Sequence, residues 1–130
     1  MSTQPTLSLV VPLYNEQDNI NPLLNRVEEG LHEYTGSYEL ILVDDGSSDH
    51  TVAKALAASS DHDYEIRVLE LQRNFGQTAA MQAGIDAATG ELIVTLDGDL
   101  QNDPHDIPRM VDALLGRDLD LLVGWREKRK

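Results

Sequence analysis

Apolar residues along the chain alternate between two patterns. Short unbroken runs, rich in β-branched side chains, occur at Leu7 to Leu13, Tyr38 to Val43, Glu65 to Leu71, Glu91 to Leu96 and Leu119 to Val123, and they have the length and composition of buried strands. Between these runs the apolar positions recur at helical spacing. Ile20, Leu23, Leu24, Val27 and Leu31 share one helix face, and Pro22 is acceptable there because the first turns need no intrahelical N–H. Gly46-Ser47-Ser48-Asp49 is a turn and cap cluster, and the helix after it is predicted to turn Val52, Ala55 and Leu56 inward. Gly76 opens an alanine-rich helix in which Met81, Gly84, Ile85 and Ala88 share a face, small residues allowing close approach to the sheet, and Thr89-Gly90 ends it. A final helix is predicted to carry Ile107, Met110, Val111, Leu114 and Leu115 inward. This alternation predicts an α/β fold with a mainly parallel central sheet and right-handed crossovers. Open sheets of this kind bind ligands outside the carboxyl ends of their strands, so the residues just past each strand carry the functional reading.

The first strand runs into Pro12-Leu13-Tyr14-Asn15-Glu16 without a glycine, which removes the pyrophosphate turn of a dinucleotide-binding fold, and no phosphate-binding P-loop occurs elsewhere. Tyr14 offers a ring that can lie against a base and Glu16 a carboxylate acceptor; a loop tyrosine and a capping Asn15 would look the same. The second strand ends in Asp44-Asp45, adjacent carboxylates that repel unless a donor or cation satisfies them. One of them can accept from a base N–H, while Asp45 and Ser47 can equally build the turn and cap the following helix. After the fourth strand comes Asp97-Gly98-Asp99, whose carboxylates project to the same side of an extended segment. Two hard oxygen ligands there suit Mg2+ or Mn2+, which favour one or two carboxylates completed by water and substrate phosphate. An EF-hand starting at Asp97 fails, because it needs glycine where Asn102 stands and glutamate where Pro108 stands. Helix capping after Pro104 accounts for Asp103 better than for the aspartate pair. A phosphoacceptor switch domain is disfavoured because the Asp pair follows the second strand rather than the first, and neither Thr78 nor Lys128 is placed to complete it.

Charge narrows the partners. With 23 acidic against 10 basic residues and a net charge of −13, the surface repels nucleic acid and anionic lipid headgroups, although a solvated acidic surface alone would give the same balance. The absence of cysteine excludes disulfides and thiolate metal sites and is compatible with the cytoplasm. No apolar run has the roughly 20 residues of a membrane span, and Met1-Ser2-Thr3-Gln4-Pro5 lacks the features of a signal peptide.

Four segments, in order and spacing, strongly resemble family 2 glycosyltransferases of the GT-A fold: Val11 to Glu16, Val43 to Thr51, Arg73-Asn74-Phe75-Gly76-Gln77, and Leu96 to Gln101. The nearest likeness is to the dolichol- or polyprenyl-phosphate sugar synthases, whose motif continues through a glutamine and a proline as Gln101 and Pro104 do, and it extends from about Leu7 to Arg126. The resemblance implies a GT-A, Rossmann-like nucleotide-diphospho-sugar transferase sandwich, with residues 1–130 forming a single nucleotide-sugar-binding domain that stops after about the fifth strand, the acceptor half being absent. It further implies that Pro12, Tyr14 and Glu16 line the nucleotide pocket, that Asp44 accepts from the base, and that Asp97, Asp99 and Gln101 hold the Mg2+ or Mn2+ bridging the donor diphosphate. Arg126, after Val123-Gly124-Trp125, would stand with Asp97 and Asp99 in the catalytic set, near the donor and acceptor phosphates; a free surface arginine is the alternative, and Arg73 is a weaker candidate.

The implied reaction is inverting transfer of a sugar from a UDP- or GDP-linked donor to a polyprenyl or dolichyl phosphate. An acceptor phosphate is already anionic, so the reaction needs no strong general base. The metal would offset charge developing on the departing nucleoside diphosphate. A saccharide acceptor would instead require a catalytic carboxylate that is not recognisable before Lys130, and a nucleotide-binding fragment without turnover is the third reading. The full-length protein is expected at the cytoplasmic face of the membrane, with membrane association only through segments beyond this chain.

Overall fold

The computed structural model describes residues 6–96 and 107–108. Among these residues, four strands, β1 (Leu7–Leu13), β2 (Tyr38–Asp44), β3 (Glu65–Glu70) and β4 (Leu92–Thr95), form a parallel sheet in the order β3-β2-β1-β4. Within residues 6–96 the helices are α1 (Ile20–Gly30), entered through a short 3-10 turn at Gln17–Asn19, α2 (Thr51–Ser59) and α3 (Gln77–Ala87). No helix among the described residues is long and apolar enough to cross a membrane. Beyond Ile107 and Pro108, the last predicted helix and the strand at Leu119 to Val123 lie outside the described residues.

Alternation along the two central strands sorts the core onto both faces of the sheet, since successive side chains point to opposite sides. Leu9, Val11, Leu13, Leu40 and Leu42 pack with the apolar stripes of α1 and α2 and with Ile107, whereas Val10, Ile41 and Val43 face α3. Every residue of β1 is buried, which is why that strand reads as a continuous apolar run rather than an alternating one. Pro12 is tolerated in this central strand for a local reason. Val10 accepts from Leu96 on the β4 side, so Pro12, two residues on, turns the position of its missing N–H to the side where the ladder with β4 has ended at the pair Val10 and Thr95.

α1 buries the predicted stripe of Ile20, Leu23, Leu24 and Val27, with Leu31 just beyond its end. α2 departs from expectation. Its inward face is Thr51, Ala55 and Ala58, and Leu56 is 57% exposed. At about 100° per residue, Leu56 lies a quarter-turn or more round from Ala55. The alanines are what let α2 settle against its neighbours. The face of α3 is likewise centred on Ala80 and Gly84, with Met81, Ile85 and Ala88 half-buried at its margins. A Cβ at Gly84 would stand 2.4 Å from Val10 Cγ1, so the glycine sets how closely α3 approaches the sheet.

The amino end of the sheet is closed by a polar network around the buried Glu39 of β2. Its carboxylate accepts from Ser8 Oγ (2.6 Å), Thr89 N (2.9 Å), Thr89 Oγ1 (3.0 Å) and Arg67 Nη1 (3.2 Å). Ser8 Oγ in turn accepts from Gly90 N at 2.7 Å, which secures the turn into β4. Burial alone would push the Glu39 carboxyl up; the hydrogen bonds from Ser8, Thr89 and Arg67 outweigh it and hold the group below the ordinary glutamate value.

Candidate functional site

The β1–α1, β2–α2 and β3–α3 loops meet at the carboxyl end of the sheet, and side-chain hydrogen bonds between residues some thirty positions apart join them. Asn15 adopts a left-handed backbone (φ 54°), and its N–H donates to Ser47 Oγ at 2.8 Å while its Oδ1 accepts from Ser48 N at 2.9 Å. Glu16 N donates to Thr51 Oγ1 (2.9 Å), and Glu16 Oε1 accepts from Asn19 Nδ2 (2.8 Å). Asp49 accepts from Thr51 N and Oγ1 and from Gln17 N, and so caps the start of α2 while tying it to the first loop. Burial raises the Asp49 carboxyl, but these bonds from Thr51 and Gln17 outweigh it and leave the group below the ordinary aspartate value. Asn15 is thus an inter-loop tie rather than a helix cap.

The adjacent aspartates play different parts. Asp44, 2% exposed, accepts from Ser47 N through Oδ2 at 3.0 Å, so this residue builds the turn. Its other oxygen, Oδ1, is buried and has no hydrogen-bond partner among the described residues. An unpaired buried carboxylate oxygen carries a desolvation cost that a donor from a ligand would relieve. Asp45, also buried, neither builds the turn nor caps α2, correcting the local reading of the sequence. It accepts from Phe75 N (2.8 Å), Gly76 N (3.0 Å) and Asn74 Nδ2 (3.3 Å), all in the β3–α3 loop. The reason is that the chain leaving β2 runs directly beside that loop: a Cβ at Gly46 (φ 76°) would fall 2.3 Å from Arg73 C and Asn74 N.

Of the residues implicated by sequence, Pro12 is buried in β1, Tyr14 is 48% exposed just past it, Glu16 is half-buried and Asp44 lies at the neighbouring strand end. Those four lie at the carboxyl ends of the two central strands, and Arg73, in the β3–α3 loop, holds its guanidinium 4.8 Å from the ring centroid of the exposed Phe75. Asp97, Asp99, Gln101 and Arg126 lie outside the described residues. Among the described residues there is no group of three metal-ligating side chains. Leu96, which precedes Asp97, is buried just past β4 and donates to Val10 O of β1 at 2.9 Å. A groove of about 290 Å³ between α3 and β4 also reaches Thr95. Sequence reasoning singled out the segment Arg73 to Gln77 but missed its tie to Asp45, because the donors lie some thirty positions from the carboxylate.

Comparison with known proteins agrees with this geometry. The chain is 59% identical over 124 residues to the dodecaprenyl-phosphate galacturonate synthase of Rhizobium johnstonii, which covers 95% of this chain and 37% of that protein. It is 47% identical over 105 residues to the undecaprenyl-phosphate 4-deoxy-4-formamido-L-arabinose transferase of Yersinia pestis, covering 81% of this chain and 32% of that one. The chain therefore spans only about a third of the length of these relatives. Among solved structures, a mannosyltransferase from Pyrobaculum calidifontis in complex with GDP-Man and Mn2+ superposes with a TM-score of 0.77 at 26% identity, over 87% of this chain and 33% of that one. The parallel α/β sheet is thus that of a GT-A glycosyltransferase. Since the sequence model of glycosyl transferase family 2 matches residues 8–130, nearly the whole chain, the protein belongs to that family.

Proposed function

We propose that this chain is the nucleotide-sugar-binding domain of an inverting transferase that moves a sugar from a nucleoside diphosphate to a polyprenyl phosphate. The observation that carries the reading is the buried Oδ1 of Asp44 at the carboxyl end of a central strand, without a hydrogen-bond partner among the described residues, which suits the N–H of a nucleobase. Tyr14, exposed on the adjoining loop, offers a face to the same base, and Pro12 and Glu16 shape the loop that presents it. The polyprenyl acceptor is supported by the names of the two relatives, both of which act on such phosphates.

Asp97, Asp99 and Gln101 would hold a divalent metal, Mg2+ or Mn2+, since all three supply hard oxygen donors. When bound, that ion supplies charge neutralisation for the departing nucleoside diphosphate. Arg126 is assigned to the donor and acceptor phosphates, where a guanidinium can bind two phosphate oxygens at once. On this reading the whole protein works at the cytoplasmic face of the membrane, where an anionic lipid phosphate would present its headgroup to a water-soluble donor.

Calorimetric titration with UDP and with GDP, each with and without Mn2+, tests the donor site. One nucleotide is expected to bind only with metal, and Asp97→Ala or Asp99→Ala to weaken it by at least about tenfold. Absence of binding to demonstrably folded protein overturns the assignment. Transfer of labelled sugar to undecaprenyl phosphate, against transfer to a saccharide, then decides the acceptor class.

A further inference from the structure

We propose that Asp45 is a positioning residue that fixes the β3–α3 loop as a further wall of the nucleotide-sugar site, acting through Arg73 and Phe75. The inference rests on the donor-site reading above and adds to it a residue that no local pattern assigns. Asp45 is buried, and both of its carboxylate oxygens are taken by donors from one short stretch: Oδ1 by Phe75 N at 2.8 Å and Gly76 N at 3.2 Å, Oδ2 by Gly76 N at 3.0 Å and Asn74 Nδ2 at 3.3 Å. Asn74 Nδ2 also donates to the Asp45 carbonyl at 3.2 Å. Two glycines allow this fit. Gly46 (φ 76°) packs with no room for a Cβ against the Arg73 and Asn74 backbone, and Gly76 (φ 107°) bends the chain so that its N–H faces the carboxylate before α3 begins.

A loop that merely connected β3 to α3 would need no such clamp. What the clamp holds in place is not core. Phe75 is 51% exposed and Arg73 is exposed, its guanidinium stacked over the Phe75 ring. The strand order sets β3 beside β2, so this pair stands on the far side of Asp44 from Tyr14. A planar cation and an aromatic ring, fixed in the loop after the strand next to Asp44, whose Oδ1 has no hydrogen-bond partner among the described residues, present complementary chemistry to a nucleoside diphosphate: positive charge for the anion and a flat apolar face for base or sugar. Fixing the loop beforehand removes the ordering cost that binding would otherwise carry.

The test compares Asp45→Asn, Arg73→Ala and the double variant by nucleotide titration in Mn2+, with amide hydrogen exchange read at Phe75 and Gly76. In Asp45→Asn an NH2 group replaces one acceptor and opposes a backbone N–H. Exchange at those two amides should quicken, and affinity should fall about tenfold, the weight of one hydrogen bond to a charged group. Arg73→Ala should cost a similar factor, and the double variant no more than either alone, because both act through one loop. Additive losses, or wild-type affinity in Asp45→Asn despite faster exchange, overturn the proposal, and so does unchanged exchange at both amides. Should Asp45→Asn fail to fold, Asn74→Ala removes only the exposed side-chain donor and is expected to weaken binding roughly threefold; unchanged affinity there counts against the clamp. Failure of the wild-type protein to bind either nucleotide is a separate result, which removes the donor-site reading and this one with it.

Discussion

Strand β2 carries a buried carboxylate near each end, and the two have opposite surroundings. Glu39, at the amino end, accepts from Ser8, Thr89 and Arg67, so its oxygens are paired and its charge is met by a guanidinium. Asp44, at the carboxyl end, has one oxygen bonded to Ser47 N and the other buried without a partner among the described residues. Both side chains lie at similar depth on one strand, so burial alone does not separate a structural carboxylate from a binding one. Completeness of the hydrogen-bond set does. Glu39 closes a turn against the sheet, whereas Asp44 keeps acceptor capacity for a molecule that arrives later.

The sharpest way to break this comparison is to remove each carboxylate in turn. Glu39→Ala leaves Thr89 N and the Ser8 hydroxyl without their acceptor and the half-buried Arg67, which keeps its bond to Ala87 O, without its counter-charge; it should lower unfolding stability by about 3 kcal/mol in urea denaturation while leaving the nucleotide affinity of the folded protein unchanged. A loss of affinity equal to the loss of stability would mean that the two ends are not separable. Asp44→Asn is expected to do the reverse. It removes a buried charge that lacks a full set of donors, so stability should not fall, while nucleotide affinity drops roughly tenfold to a hundredfold as a charged acceptor becomes neutral. Equal affinity in wild type and Asp44→Asn would sink the role given to Asp44 and leave the fold description intact.

How far the sequence could be read follows the same division between local and distant partners. The parallel sheet, its alternation with helices and the gathering of Tyr14, Glu16 and Asp44 at the carboxyl edge were all legible, because strand runs and helical stripes repeat within a few residues. Glu39 was hidden inside the apolar run from Tyr38 to Val43, since its partners stand at Ser8, Arg67 and Thr89. Asp45 read as a turn residue for the same reason: its donors lie thirty positions on, at Asn74 to Gly76, while Asp44 makes the turn. Leu56 breaks the hydrophobic pattern for a reason of size. On a helix that must approach closely, Ala55 and Ala58 take the inner face and the larger residue is left outside.

Acid titration sharpens the contrast further. Glu39 is held below the ordinary glutamate value, so its contribution to stability is fully present above the unfolded-state value near 4.5 and is lost as pH falls through the lower folded-state value. Between those two values, stability followed by thermal unfolding should therefore decline more steeply with falling pH in the wild-type protein than in Glu39→Gln, which has no proton to take up there. Parallel acid limbs in the two proteins would show that the network does not bias the ionisation of Glu39.

The smallest change expected is from Ser8→Ala. It deletes the shortest of the Glu39 bonds and the acceptor of Gly90 N, so a loss of about 1–2 kcal/mol is expected. Because one of the bonds favouring ionised Glu39 is gone, the folded-state carboxyl should move toward its ordinary value, and the acid limb should shift to higher pH. Nucleotide affinity near neutral pH should be untouched, since Ser8 lies at the amino end of β1 and Tyr14 just past its other end. A Ser8→Ala protein that bound nucleotide more weakly would show that strain at the amino end travels the length of β1 to the site, and the two ends would have to be treated as one coupled unit.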